Sequence, residues 1–163
     1  METKTTGRLL AGLRIVMGFT FLWAFLDKTF GLGFSTAAEK SWLAGSSPTA
    51  GFLQNATTGP LASFYQGLAG SGLVDWLYMI GLLCLGVALI LGVGLKVAGY
   101  AGGLLVLLMW SSLLPPKNNP IVDDHIAYLF VLLLLPRLNA GDTWGLGGWW
   151  KRTELVRKHG WLA

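Results

Sequence analysis

Two sets of ionisable side chains interrupt a chain that is otherwise strongly apolar. In the first, Arg14, Gly18, Phe21, Phe25 and Lys28 follow one another at steps of four, three, four and three, which places them on one stripe of a helix. A guanidinium inside that helix and an ammonium at its far end can hold a carbonyl or anionic group through charge-assisted hydrogen bonds. An arginine inside a membrane span costs about 2.5–3.5 kcal/mol on insertion scales. Arg14 must therefore be partnered inside the bundle or snorkel to the headgroups, and both readings stand open. The second set is Asp75, Asp123, Asp124, His125 and Tyr128. Asp124 lies four residues before Tyr128 and His125 three before it, so an acid, an imidazole and a phenol can face one opening. A carboxylate beside an imidazole sets its tautomer and suits it to proton exchange. The catalytic candidates are thus His125, Asp124 and Lys28; the ligand-binding candidates are Arg14, Lys28, Asp75, Asp123 and Tyr128. A plainer reading has Asp123 and Asp124 capping a helix, Lys28 paired with Asp75, and His125 at an interface. No metal site is expected, because a lone His125 with acids has no recognisable ligand spacing and His159 falls at the opposite end of the chain's topology.

The elements that must position these residues are hydrophobic helices. The 163 residues are 53% hydrophobic and only 12% charged, a composition foreign to a soluble domain of this size. Four segments are long enough to cross a bilayer: about residues 7–30, 73–92, 97–114 and 121–138. The Gly92-Val93-Gly94-Leu95-Lys96 turn makes the middle pair an antiparallel hairpin, and Pro115-Pro116 with Pro120 ends the third segment. Residues 31–72 form a cap outside the membrane. Within it, Ser46-Ser47-Pro48 supplies an N-cap and first-turn proline, and Gly59-Pro60 starts a short helix to Leu68 whose Phe64, Tyr65 and Leu68 can lie on a membrane surface. Residues 139–163 form an amphipathic tail in which Trp144, Trp149, Trp150 and Trp161 mix with Lys151, Arg152, Arg157 and Lys158.

The expected fold is an all-α four-transmembrane-helix bundle, a single membrane domain with both termini cytoplasmic. That topology puts Lys4, Arg8, Lys96, Arg137 and the basic tail inside and leaves Lys28, Lys40 and Lys117 outside, in keeping with the positive-inside rule. Asp27, Lys28, Asp75, Lys117, Asp123, Asp124 and His125 then share the outer end. Gly99, Gly102 and Gly103 are expected where helices approach closely. Cys84, the only cysteine, is expected to be a packing residue. No basic surface with interleaved aromatics suggests a nucleic-acid partner.

The pattern Arg14-x3-Gly18-Phe19-x-Phe21-Leu22-x4-Asp27-Lys28, with Asn119-Pro120-x2-Asp123-Asp124-His125, resembles the DoxX/DoxD family. The segment Ser47 to Leu53 and the tail Ala140 to Gly147 are similar to those of actinobacterial members. The resemblance implies a four-helix protein of the bacterial plasma membrane in which Arg14, Lys28 and His125 are the recurrent polar positions. Some members are the membrane subunit of a thiosulfate:quinone oxidoreductase, which implies quinone as the small molecule bound and electron transfer from a sulfur compound. Other members resemble anchors for redox-stress assemblies containing a sulfurtransferase and a superoxide dismutase. This chain has no cysteine pair, haem motif or nucleotide fingerprint, so the resemblance implies a redox partner protein beside the lipid bilayer. A homo-oligomer and a small transporter remain open, although no inverted repeat favours transport.

Overall fold

The computed structural model describes residues 2–162, with side chains from Lys4 to Leu162; Met1 and Ala163, the ends of the expected domain, lie outside the described residues. Every element among them is helical. Helix α1 runs Glu2–Phe30, α2 Ala50–Asn55, α3 Ala62–Gly67, α4 Gly72–Leu91, α5 Leu95–Ser112, α6 Asp124–Arg137, α7 Gly147–Trp150 and α8 Glu154–Lys158. Three of them, α1, α4 and α5, are long and apolar enough to cross a membrane. The fourth expected segment shortens to 14 residues because Asp123, not Ile121, caps it. Its carboxylate accepts the His125 backbone N–H at 3.0 Å, and Asp123 itself is in the extended conformation of an N-cap residue. Helix α6 alone is about 21 Å long at 1.5 Å per residue.

The long helices form two tight pairs, α1 with α4 and α5 with α6, joined by a lesser contact between α4 and α5. Glycine sets both approaches. A Cβ on Gly18 would stand 2.9 Å from the Ile90 nitrogen, and one on Gly86 would stand 2.7 Å from the Leu22 nitrogen, so α1 and α4 touch backbone to backbone. In the second pair Gly99 faces the Leu132 carbonyl, where a Cβ would sit at 2.6 Å. That carbonyl lacks its helical donor because Pro136 occupies the position four residues on. Gly102 and Gly103 abut the side chains of Leu85, Leu132 and Leu129 as expected. Outward faces stay apolar: Val16, Leu73, Leu77, Tyr100 and Phe130 are each at least 62% exposed. So much exposed hydrocarbon on helices of spanning length is the surface of a protein solvated by lipid.

One end of the bundle holds residues 31–71 and 113–123 and is here named the cap end. The opposite, basal end gathers the start of α1, the Gly92 turn and the tail, with Lys96 Nζ donating to the Gly160 carbonyl at 3.0 Å and Trp150 Nε1 to Leu162 at 2.7 Å. In the cap, α2 begins at Ala50, later than the Ser46–Pro48 signal, and Ser47 Oγ accepts from the Ala50 N–H at 3.0 Å. Tyr65 does not lie on the surface as expected. It is buried, its hydroxyl 2.6 Å from Ser111 Oγ, and only its neighbour Phe64 points outward.

Arg14 decides the basal end. Fully buried, it donates through Nη1 to the carbonyls of Leu89 and Ile90 (2.7 Å to the latter), through Nε to Ala140 at 3.0 Å, and through Nη2 to Trp144 at 2.8 Å and Thr143 at 3.4 Å. Five guanidinium N–H groups meet five carbonyl oxygens. Replacing it by leucine strands several acceptors in an apolar interior at about 1–3 kcal/mol each. Arg14→Leu is therefore expected to lower stability by about 4 kcal/mol or more in detergent-resolved unfolding, while Arg14→Lys, with three donors and no fork, falls between leucine and the native residue.

Candidate functional site

Buried charge at the cap end is met by neutral donors. Asp27, on the last turn of α1, accepts from Ser35 Oγ at 2.6 Å and from the backbone N–H groups of Ser35 at 3.0 Å and Phe34 at 3.2 Å, folding residues 31–36 back over the helix end. Asp75, in the first turn of α4, accepts from Thr49 Oγ1 at 2.5 Å, Ser47 Oγ at 2.8 Å and Thr49 N–H at 3.3 Å. The helix N-terminus favours its charge. Asp75 thus pins the Ser47–Thr49 strap over α4 and is not a partner of Lys28.

Lys28 is the exception. Half-buried, it lies within 4 Å of no carboxylate among the described residues, and its one hydrogen bond is to the Pro48 carbonyl at 3.3 Å. The strap held by Asp75 supplies that carbonyl. Lys28 lines a half-open cavity of about 330 Å³ whose walls come from α1, α2, α3, α4 and α5. Leu53, Leu68, Val74, Leu77, Leu105 and Met109 make most of its wall. Thr49 and Ser112 also line it, but their hydroxyls donate to Asp75 and to the Met109 carbonyl. The Tyr78 hydroxyl, also on the wall, has no protein partner among the described residues. Spare hydrogen-bond donors in this apolar space therefore belong to Lys28 and Tyr78, the pattern of a site that orients one polar group of an otherwise apolar ligand.

Charges expected to share the outer end line two separate cavities. His125, Asp123, Asp124 and Lys117 line a separate, larger cavity of about 690 Å³ with Pro115, Pro116 and Asn119, and it shares no lining residue with the Lys28 cavity. There His125 Nδ1 lies 2.8 Å from Asp123 Oδ2. Asp123, not the exposed Asp124, is thus the imidazole's partner, and it caps α6 at the same time. Tyr128 packs edge-on against Phe21 at a centroid distance of 6.4 Å and joins the core rather than either opening. Arg14, 14 residues or about 21 Å before Lys28 on α1, is spent on carbonyls at the basal end and offers no donor to a ligand there. Among the described residues no three His, Cys, Asp or Glu side chains gather closely enough to hold a metal ion.

Tyr78 was missing from the expected site. Its position three residues after Asp75 on a spanning helix was the available signal, since a phenol mid-segment is otherwise only a bulky apolar residue. Weakening the strap should open the cavity's rim. Asp75→Asn is expected to speed hydrogen exchange of the Thr49 amide about tenfold, equivalent to about 1.4 kcal/mol of local stability, with α5 amides unchanged. The chain matches no family model, no curated protein and no solved structure.

Proposed function

We propose that this protein is a four-crossing protein of the bacterial plasma membrane that binds a quinone-class molecule through Lys28 and Tyr78. The half-buried ammonium with one weak carbonyl partner, set in an apolar cavity of about 330 Å³, carries this reading. A volume of that size holds a one- or two-ring head. An ammonium and a phenol facing the same carbonyl oxygen stabilise the negative charge that gathers there on reduction, which favours electron acceptance by the ring. In keeping with the DoxX/DoxD resemblance, the electrons come from a sulfur compound such as thiosulfate through a partner protein. Helix α6 makes the fourth crossing together with the non-helical residues before it. The basal end, rich in Lys and Arg, faces the cytoplasm, and the cap end faces outward. His125 and Asp123 then serve the outer cavity, at one remove from the bound ring.

A second reading, a non-enzymatic scaffold for soluble redox-stress proteins, draws on the tail, where Trp149 and Trp161 are 59% and 64% exposed beside Arg152, Arg157 and Lys158. Amphipathic aromatic and basic residues of this kind also suit the headgroup layer. Trp149→Ala with Trp161→Ala separates the two: loss of a soluble partner favours the scaffold, and loss of vesicle adhesion alone favours the interfacial anchor.

For the quinone reading, Lys28→Met is expected to weaken binding of a ring-substituted quinone in reconstituted membranes by ten- to a hundredfold. This corresponds to about 1.5–3 kcal/mol for a charge-assisted hydrogen bond. Tyr78→Phe is expected to cost about fivefold, and His125→Ala less than either. Equal affinities for the native chain and Lys28→Met would remove Lys28 from the site.

A further inference from the structure

The lipid-facing side of α4 and α5 carries an apolar groove of about 720 Å³ that reaches from the Lys28 cavity to Trp150 and Leu162 of the tail. Leu77, Leu105 and Leu108 line both spaces, so the cavity and the groove meet at a common wall. Below that wall the floor is made of small side chains: Gly81, Cys84 and Ala88 on α4, with Ala98, Ala101 and Gly102 on α5. No charged residue lines the groove. It exists because α4 and α5 touch less than the α1–α4 and α5–α6 pairs, leaving a seam between two tight halves. From Leu77 to Ala88 it extends about 16 Å at 1.5 Å per residue. The Lys28 cavity holds a ring but no long chain, and the uncharged groove beside it suits hydrocarbon alone.

We infer that the ligand of the Lys28 cavity is a long-chain amphiphile, its polar ring held by Lys28 and Tyr78 and its hydrocarbon tail laid along the α4–α5 groove past Cys84. The inference rests on the quinone-class reading of that cavity. The ligand enters sideways from the bilayer between α4 and α5, and the tail supplies affinity by apolar contact. Cys84 is exposed in the groove and is the chain's only thiol, so it reports occupancy without any engineered label.

The test uses the full chain in a maltoside micelle and two naphthoquinones substituted at both ring positions, so that neither adds to a thiol. One is 2,3-dimethyl-1,4-naphthoquinone; the other bears a three-isoprene tail in place of one methyl. Saturation with the tailed compound is expected to slow maleimide labelling of Cys84 at least tenfold. The tailless compound is expected to leave labelling unchanged when bound alone and, in excess, to restore it by displacing the tailed one. Gly81→Leu, at a position where an added Cβ meets nothing nearer than Leu105 Cδ2 at 3.9 Å, is expected to erase the tail's affinity advantage by filling the groove. Lys28-dependent binding of both compounds with unaltered Cys84 labelling would overturn the tail site and leave the ring site standing. Protection of Cys84 that persists undiminished in Lys28→Met would overturn the link between groove and cavity. Binding of neither compound would overturn the ring site and the tail site together.

Discussion

The bonds from Arg14 to the end of α4 are the constraint on which the rest of the bundle depends. A helix leaves its last four carbonyls without intrahelical donors, and in lipid no water is available to replace them. In α4 each is satisfied. Ala88 accepts from the Gly92 N–H at 2.8 Å, Leu89 and Ile90 accept from Arg14 Nη1, and Leu91 accepts from the Leu146 N–H at 2.8 Å. The same guanidinium binds the 140–144 loop, which must curl tightly enough to present three carbonyls. Asn139 and Trp144 take left-handed conformations there, with φ of 52° and 50°. Gly141 is confined against the Gly92 carbonyl, where a side chain would collide. One residue thus joins α1, the α4–α5 turn and the tail, and fixes the register of α1 against α4.

That register carries through to the other end. With Gly18 locked against Leu89 and Ile90, and Gly86 against Leu22, the last turn of α1 has no freedom to slide. Asp27 and Lys28 arrive beside the start of α4, next to the strap that Asp75 holds. Of the four charged side chains on this inner face, Arg14, Asp27 and Asp75 each close a loop with neutral hydrogen bonds and form no ion pair. Such groups tolerate burial because the partners are preorganised and complete. Lys28 is left with one carbonyl and an apolar space, and the proposed ligand site rests on that contrast with the other three.

Hydrophobic length and glycine punctuation made most of this architecture legible in the sequence. The stripe from Arg14 to Lys28 does face inward, and the α4–α5 hairpin falls within two residues of its expected bounds. The role of Arg14 was not legible, since its acceptors lie 75 to 130 residues away and are backbone carbonyls, which leave no trace in residue type. Asp75 read as a ligand-binding residue or, more plainly, as a partner for Lys28, whereas its partners are the hydroxyls and amide of the Ser47–Thr49 strap, more than 25 residues away in sequence. Topology placed the charges at one end of the bundle but could not show whether they share a pocket. His125 and Lys28 line different cavities that have no residue in common. Cys84 looked like core because its segment is apolar throughout, and periodicity alone does not distinguish lipid from protein neighbours.

The proposed ligand binding at Lys28 draws on all of these features: a close-packed pair of helices, a strap tied by Asp75 and a cavity whose walls come from five helices. The most direct measurement is a cross-linking map of the full chain in a bilayer, made with a naphthoquinone carrying a diazirine on its ring and resolved to single residues by peptide mass analysis. Adducts are expected on Thr49, Leu53, Tyr78 and Ser112, falling at least tenfold in Lys28→Met. Adducts confined to residues 115–125 around His125, or spread evenly over the lipid-facing side chains, would contradict the assignment.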